Sequence, residues 1–381
     1  MVNKAVIIYS EEYEKINISL NEIHVEYRFL VREEFVPKYN INNTTYSGKN
    51  EINTNAFFSC YNEIRQIIDE HSINTIIFLM PNDSLKQVCE MFRELENIEA
   101  YILPINYTNN SISSFCDLIK IDLDKPRLRF VQYNVAQNCN LNCKGCANYS
   151  NIYRNSNFNC AESFRNDLIE LKKFFWGVQE IKLMGGEPLL NDNICSFLIY
   201  AREIFPDSKL TIGTNGILLN KMDSKFFDVV KRNSVTFAIS LYPSLKHKKE
   251  SLEILLNKYD IDYIIMEFKG EFMKYLYDYP VRTMEDGYNN CPAKECHCLD
   301  NGYLAVCSKP LYLYRLNDNF NLNIPDQSGK FNLYKTNIDP WKLDELLRTP
   351  FDTCRYCGEK QYFAWKTVSK DEMQIQDWIC N

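Results

Sequence analysis

The stretch that decides the fold is "FVQYNVAQNCNLNCKGC", residues 130–146. Its first six residues form a strand-like run that leads directly into a polar loop. The loop places Cys139, Cys143 and Cys146 in the spacing CxxxCxxC. Because a zinc site or an iron cluster usually takes four protein ligands, three thiols in one loop leave one metal position open to a small molecule.

Strand-like and helix-period segments alternate after this loop. The strand-like runs are "IKLMGG", "KLTIGTNG", "VTFAISLYP" and "DYIIMEF", and amphipathic helices separate them. The first of these helices is predicted from apolar residues at a 3.6-residue spacing: Ala161, Phe164, Leu168, Leu171, Phe175 and Val178. Five strand–helix repeats predict an α/β fold, a partial (β/α)6 TIM-like barrel over residues 130–270. The active site of such a barrel lies at the carboxyl ends of its strands.

The amino-terminal part shows a second alternation of the same kind. Strand-like runs such as "KAVIIYS" and "TIIFLM" lie between helix-period segments, one with Phe57, Tyr61, Ile64 and Ile68 and one with Leu85, Val88, Phe92 and Leu95. This pattern predicts a Rossmann-like α/β domain over residues 1–106, followed by a linker over 107–129. The first strand runs into "SEEYEK" without a glycine, which argues against dinucleotide binding.

Composition narrows the function classes. The chain has 381 residues, 45% of them hydrophobic, and a net charge of -7. A net negative charge argues against partners such as nucleic acid or an anionic membrane surface. The amino terminus has no apolar stretch of signal-peptide length, so we expect a cytoplasmic protein. Since the cytosol keeps thiols reduced, the fifteen cysteines favour metal binding over disulfides.

The cysteine loop resembles the motif of the radical S-adenosylmethionine (radical SAM) superfamily, and "MGGEP", Met184–Pro188, resembles the end of that family's second strand. The resemblance implies an enzyme in which Cys139, Cys143 and Cys146 hold a 4Fe-4S cluster with an open iron that binds S-adenosyl-L-methionine. It also implies that Glu187 pairs with the cofactor ammonium. The other implied cofactor-binding residues are Gly185, Gly186, Thr214, Asn215 and Ser240. Ordinary strand-end turn residues are the alternative for the last three.

Two positions depart from the family pattern. The residue before the third cysteine is usually aromatic and packs near the adenine, whereas here it is Gly145. We therefore expect the adenine to find another surface. The second departure is Tyr242, which stands where the family often has an aspartate and so puts a ribose contact at that position in doubt.

A second group of cysteines lies in residues 271–381. Cys291, Cys307, Cys354 and Cys357 resemble the twitch domain, a short relative of the SPASM domain, which implies one auxiliary 4Fe-4S cluster. A zinc site made of the same four thiols is the alternative. The segment "SKDEMQIQDWI" begins with a capping box, Ser369 and Glu372, and predicts a closing helix.

The resemblance implies reductive cleavage of S-adenosyl-L-methionine to a 5'-deoxyadenosyl radical, which removes a hydrogen atom from a substrate. An external one-electron donor such as flavodoxin or ferredoxin would supply the electron. The substrate radical could then be oxidised through the auxiliary cluster or epimerised by a hydrogen donor. Cys296 and Cys298 are the candidate donors, with spectators or substitute cluster ligands as the alternative.

The substrate class is implied by a broader resemblance. The arrangement over residues 120–381 resembles bacterial radical enzymes associated with sugar and surface-polysaccharide metabolism, which implies a carbohydrate or nucleotide-linked sugar. A peptide-modifying radical SAM maturase is the alternative within the superfamily. A non-catalytic iron-sulfur electron carrier or a zinc-stabilised binding protein is the alternative from another class.

Overall fold

The computed structural model describes residues 3–9, 17–18, 23–30, 64–70, 72–79, 92, 95, 97–103, 111–112, 118–153, 158–268 and 270–380. The chain divides into two compact units. The first unit comprises Met1–Arg127 with Phe175–Gln179, and the second comprises Leu128–Phe174 with Glu180–Asn381.

The first unit contains a five-stranded sheet in the order β3-β1-β4-β5-β7. Its strands are β1 Asn3–Tyr9, β3 Ile23–Leu30, β4 Thr75–Leu79, β5 Glu99–Ile102 and β7 Ile119–Ile121, and a separate parallel pair is β2 Asn17–Ile18 with β6 Ser111–Ile112. The contacts β1–β3, β1–β4 and β4–β5 are parallel. All five residues of β4 are buried, as expected for a strand covered on both faces.

The core of the first unit contains several residues of the predicted helices. Ile64 and Ile68 lie on the helical segment 64–70 and are buried with Phe92 against the sheet residues Ile76 and Phe78. Other positions named in the sequence analysis lie outside the described residues: Phe57, Tyr61, Leu85, Val88 and the "SEEYEK" turn. The described part of the predicted linker 107–129 needs correction, because residues 119–121 form β7, antiparallel to β5 at the sheet edge.

The second unit is built on an eight-stranded sheet in the order β12-β11-β10-β9-β8-β14-β15-β16, an open row. The strands are β8 Arg127–Ala136, β9 Gly177–Gly185, β10 Lys209–Thr214, β11 Val235–Leu241, β12 Tyr263–Glu267, β14 Cys298–Asp300, β15 Tyr303–Ala305 and β16 Lys330–Asn332. Strands β9 to β12 are successively parallel. The prediction of an α/β fold with a partial parallel barrel is confirmed.

Four helices connect these strands: α1 Ala161–Phe174, α2 Ile194–Ile204, α3 Ser224–Arg232 and α4 Lys249–Lys258. Helix α1 buries Phe164, Leu168 and Leu171, as its apolar spacing predicts. It ends before Phe175, and Val178 belongs to β9. A glycine at 177 disfavours helix continuation and starts the strand.

The sixth parallel strand comes from beyond residue 270. Strand β14 lies beside β8 and parallel to it, on the side away from β9. Residues 271–381 therefore share a sheet with the barrel strands, and both belong to the second unit.

The remaining elements of the second unit lie after β12. They are β13 Glu271–Leu276, β17 Cys357–Ala364, α5 Met284–Asn289, α6 Lys309–Tyr312, α7 Tyr314–Phe320 and α8 Pro340–Leu346. Strands β13 and β17 pair antiparallel. The predicted closing helix is wrong: Ser369 and Glu372 do form a capping box, but it opens only a 3₁₀ turn, Lys370–Glu372, and a second such turn follows at Ile375–Asp377.

Candidate active site

The loop after β8 holds Cys139, Cys143 and Cys146 close together. Burial, with a smaller contribution from the neighbouring cysteine thiols, raises the pKa of Cys139 to about 12 and the pKa of Cys143 to about 11. A metal cluster binds thiolates, so its insertion must release these protons.

Two side chains fix the backbone of the loop. The Asn151 amide donates to the carbonyl of Cys143 at 2.7 Å, and the Trp378 indole N–H donates to the carbonyl of Cys146 at 2.9 Å. These bonds leave the sulfur atoms available to a metal. The carbonyl groups of the loop are thus bound by one side chain close in sequence and one distant in sequence.

A carboxyl-terminal segment, residues 365–368, lies along the same loop. The Lys144 amide donates to the Lys366 carbonyl, and the Val368 amide donates to the Asn142 carbonyl, both at 2.9 Å. The Trp365 indole N–H points at the Cys143 sulfur at 3.3 Å. Hydrogen bonds to cluster sulfurs are one of the ways in which a protein sets a cluster's reduction potential.

The two glycines of "MGGEP" join the second strand to the cysteine loop. The Gly186 amide donates to the Ala136 carbonyl at 2.8 Å, and the Glu187 amide donates to the Asn138 carbonyl at 2.9 Å. A Cβ at Gly185 would lie 2.1 Å from the Ala136 oxygen, and one at Gly186 would lie 1.9 Å from the Asn138 oxygen. Both glycines are therefore required because the backbone of the cysteine loop passes too close for a side chain. The sequence analysis had named them as cofactor-binding residues.

The carboxyl group of Glu187 lies at the centre of the site and is only 1% exposed. Its oxygens accept hydrogen bonds from the Thr214 hydroxyl at 2.6 Å, the Asn215 amide at 2.9 Å and the Leu189 amide at 3.2 Å. Burial raises the pKa of Glu187 to about 7 against these three bonds. A buried carboxylate without a cation favours a positively charged ligand group.

Asn215 links this carboxyl group to the cysteines. Its side-chain amide donates to Asn140 Oδ1 at 2.7 Å and lies 3.9 Å from the Cys139 sulfur. Ser240 lies on the next strand, β11, and is half-buried. Of the residues named from the sequence, Thr214 and Asn215 join Glu187, whereas Ser240 makes no recorded bond to this group within the described residues.

Aromatic rings surround the two positions that depart from the family pattern. Tyr242 stacks on Trp365 with 5.3 Å between ring centroids and on Phe268 with 5.1 Å. Gly145 has a φ of +64°, and a Cβ there would lie 2.6 Å from the Phe363 ring. The Phe363 ring thus fills the place beside residue 145 from β17.

The four carboxyl-terminal cysteines, Cys291, Cys307, Cys354 and Cys357, are brought together around one cavity. Burial raises the pKa of each, and their thiols act on one another. The buried Lys309 lines the same cavity and donates to the Tyr149 hydroxyl at 3.1 Å. Sequence reasoning missed this lysine, since only its position two residues after Cys307 pointed to it.

The structure separates the two candidate hydrogen donors. Cys298 lies within β14 and is fully buried. Cys296 is half-buried, and its thiol lies 3.6 Å from Gln132 Oε1. Burial raises the pKa of Cys296 to about 11, so the thiol keeps its hydrogen at neutral pH. Of the two, Cys296 is the more accessible.

The residues present fit the groups that the family implies. Three thiols lie beside a carboxyl group, and the buried Asn138 Oδ1 next to them has no hydrogen-bond partner in the described part of the chain. Across the same residues, no three His, Cys, Asp or Glu side chains converge as ligands of a single metal ion do. Each cysteine of an iron-sulfur cluster can bind a different iron.

None of the described helices is both long and apolar enough to span a membrane.

Comparison with known proteins identifies the central part of the chain. Residues 133–247 match the model of the radical SAM superfamily. GTP 3',8-cyclase of Sulfurovum sp. (strain NBC37-1) is 27% identical over 130 residues, which cover 33% of this chain and 39% of that protein. The probable GTP 3',8-cyclase of Methanocaldococcus jannaschii is 31% identical over 102 residues, covering 26% and 33%. The chain thus spans between a third and two fifths of the length of these relatives.

Among solved structures, that of BtrN in complex with AdoMet and 2-DOIA matches with a TM-score of 0.38 and 14% identity, over 62% of this chain and 94% of BtrN. The matched residues 133–247 include the cysteine loop and "MGGEP". By this match, residues 133–247 are a radical SAM superfamily domain.

Proposed function

We propose that this protein is an enzyme that reductively cleaves S-adenosyl-L-methionine and uses the resulting 5'-deoxyadenosyl radical to abstract a hydrogen atom from a substrate. The observation that carries the proposal is the position of Glu187. Its buried carboxyl group lies beside a loop with three cysteines and accepts a hydrogen bond from the Asn215 amide, and the Asn215 side chain lies 3.9 Å from the Cys139 sulfur. Three thiols for a 4Fe-4S cluster and one carboxylate for an ammonium match what the cofactor needs.

Each residue has a stated part in this proposal. Cys139, Cys143 and Cys146 would hold the cluster through their three thiolates. Glu187 pairs with the cofactor ammonium, while Thr214 and Asn215 hold the Glu187 carboxylate in place. An external one-electron donor such as flavodoxin or ferredoxin would supply the electron for a cytoplasmic enzyme of this kind.

The carboxyl-terminal cysteines support a further part of the proposal. Cys291, Cys307, Cys354 and Cys357 would hold one auxiliary 4Fe-4S cluster with no open position. If the substrate loses a hydrogen atom to the radical, it must then lose one electron and one proton to become an oxidised product. The auxiliary cluster would accept that electron, so we favour oxidation.

Epimerisation is the second candidate outcome, because Cys296 offers a protonated thiol. In that case the substrate radical would take a hydrogen atom from the Cys296 S–H bond, and the thiyl radical left behind would need one electron and one proton. The two outcomes differ in mass. Oxidation removes two hydrogens, whereas epimerisation in deuterium oxide adds one solvent-derived deuterium.

We propose a carbohydrate or nucleotide-linked sugar as the substrate. The support is the sequence resemblance to enzymes of sugar and surface-polysaccharide metabolism, together with the matched relatives, whose name gives GTP, a nucleotide, as the compound on which they act.

The test is anaerobic incubation of reconstituted protein with S-adenosyl-L-methionine and dithionite. We expect release of 5'-deoxyadenosine and about eight irons per chain. Changing Cys139, Cys143 and Cys146 together to alanine should leave about four irons and no cleavage. The matched control changes Cys160 and Cys195, which lie outside both groups, and should keep iron and cleavage. Cleavage by the triple variant at the rate of the unmodified protein would reject the proposal.

A further inference from the structure

Strands β8 and β9 each have one face turned to the helices and one face turned away. On β8, the Tyr133 ring packs on Phe164 of α1 at 4.6 Å and on Phe197 of α2 at 6.1 Å. Since side chains alternate along a strand, Gln132 and Asn134 lie on the opposite face. We call this opposite face of the sheet the inner face.

Strand β9 continues the inner face with charged residues. Ile181 and Leu183 are buried, whereas the alternating residues Glu180, Lys182 and Met184 are half-buried. The Thr211 hydroxyl of β10 donates to Glu180 at 2.8 Å. Glu180 is thereby held by the neighbouring strand.

The Lys182 side chain extends across the inner face toward β10. Its Cε lies 3.0 Å, and its Nζ 3.8 Å, from the point where a side chain at Gly213 would begin. On the other side, Lys182 acts electrostatically on the thiol of Cys296, which contacts Gln132. Among the described residues its ammonium has no ion pair or hydrogen bond, and Glu180, two residues away on the same face, accepts from Thr211 instead.

Asn134 gives a second, independent sign of a ligand. Its side chain is 1% exposed, and neither its amide nitrogen nor its amide oxygen has a hydrogen-bond partner within the described ranges. An unsatisfied buried amide is costly and needs an explanation in a folded protein. Asn134 lies only two residues along β8 from Gln132 and five residues before Cys139.

We propose that Lys182, Asn134 and Gln132 form the substrate-binding surface of this enzyme and that the substrate carries an anionic group, a phosphate ester or diphosphate, which binds Lys182. The Asn134 amide, which has one donor and one acceptor side, binds a hydroxyl or carbonyl group of the same substrate. Cys296 then lies beside the bound substrate. The inference rests on the proposed function and deepens it, because it restricts the substrates to those with an anion.

The first experiment measures anion binding without chemistry. Pyrophosphate is titrated into the reconstituted protein, with S-adenosyl-L-methionine present and at constant ionic strength, and the thermal midpoint is recorded. We expect pyrophosphate to raise the midpoint. In Lys182→Met the pyrophosphate concentration needed for the same rise should be roughly tenfold higher or more, because a charge-assisted contact is lost.

Two further variants separate charge from packing. Lys182→Arg keeps the positive charge and should retain most of the pyrophosphate response. Lys231→Met, which removes a lysine from a surface ion pair with Asp260, should respond as the unmodified protein does. Equal pyrophosphate responses from Lys182→Met and the unmodified protein, or no response from either, would overturn the inference.

The second experiment uses turnover. 5'-deoxyadenosine release is followed with matched pairs: UDP-glucose against glucose, and GTP against guanosine. We expect at least one anionic member to accelerate release and its neutral partner to fail. Acceleration by a neutral member as strong as by its anionic partner would contradict the inference and leave the proposed function intact. Absence of any S-adenosyl-L-methionine cleavage by the unmodified protein would reject the proposed function, whatever pyrophosphate does.

Discussion

Replacing Glu187 with glutamine should remove a pH-dependent component of stability and weaken cofactor binding. In the folded chain without a bound cation, burial raises the pKa of Glu187 from the usual 4.5 to about 7. The folded state therefore holds this proton more tightly than the unfolded state does. The resulting stability is fully present below pH 4.5 and is lost as the pH rises through 7.

The size of this loss follows from the shift in pKa. A shift of one unit corresponds to about 1.4 kcal/mol, so ionising Glu187 costs about 3 kcal/mol of unfolding free energy by pH 8. About 1 kcal/mol of that loss falls between pH 6 and pH 8. Glu187→Gln does not titrate, so its stability should lack this component. Its amide does place a donor toward the Asn215 N–H, which lowers stability by a pH-independent amount.

The affinity for the cofactor should depend on pH in the direction opposite to stability. The unmodified protein gains a charge-assisted bond to the S-adenosyl-L-methionine ammonium, and Glu187→Gln should lose about 1.5 to 3 kcal/mol of binding free energy. Because the unmodified site must first lose its proton, its affinity should rise from pH 6 to pH 8, whereas the affinity of Glu187→Gln should not.

The assay is denaturant unfolding and anaerobic equilibrium dialysis of reconstituted protein, both at pH 6 and pH 8. The control is Asp344→Asn. Burial also raises the pKa of Asp344 to about 7, but this residue lies on α8 and is paired with Arg348. It should change the pH dependence of stability and leave cofactor affinity alone. The reasoning is refuted if Glu187→Gln binds S-adenosyl-L-methionine as tightly as the unmodified protein at pH 8.

Three other changes test the surroundings of the two cysteine groups. Trp365→Phe removes the N–H that faces the Cys143 sulfur, so the reduction potential of the first cluster should fall by about 20 to 60 mV in a titration followed by electron paramagnetic resonance; Trp378→Phe, which loses only a bond to a carbonyl, should shift it less. Gly145→Ala places a Cβ 2.6 Å from the Asp377 carbonyl at a positive φ, so it should lower the free energy of unfolding by more than about 1 kcal/mol and expose the carboxyl-terminal segment to protease. Proteolysis at the rate of the unmodified protein would contradict this. Changing Cys354 and Cys357 to alanine should remove about four irons and the oxidised product but keep 5'-deoxyadenosine release, as measured by iron assay and mass spectrometry; an oxidised product formed at the usual yield would exclude the auxiliary cluster as the electron acceptor.

Local patterns were sufficient to predict the barrel strands. The run before Cys139 and the three strands that follow "MGGEP" are apolar, flanked by helices of clear 3.6-residue period, and the structure has each of them. Strand β14 has only three residues, Cys298–Asp300, which is too short for any periodicity to show. The sixth parallel strand therefore could not be predicted from the sequence.

The part of the site that the sequence did not predict depends on distant contacts. Glu187 and the three cysteines follow from motifs, but Trp365 reaches Cys143 from 222 residues away. Likewise, Lys309 meets Tyr149 across 160 residues. The capping box at Ser369 formed as predicted, yet three residues of helix are all that it supports, because the chain after it packs through Trp378 and Ile379 into a hydrophobic core.

The cover that β17 and the residues after it place on the cysteine loop has a consequence for biosynthesis. Residues 130–146 leave the ribosome long before three residues that contact the loop. Phe363 fills the space beside Gly145, Trp365 faces the Cys143 sulfur and Trp378 binds the Cys146 carbonyl. During translation the three thiols are therefore exposed to oxidants until these residues have been synthesised. A system that inserts iron and sulfide would have the best access to the thiols in that interval. Packing of β17 and the residues after it would then enclose the inserted cluster.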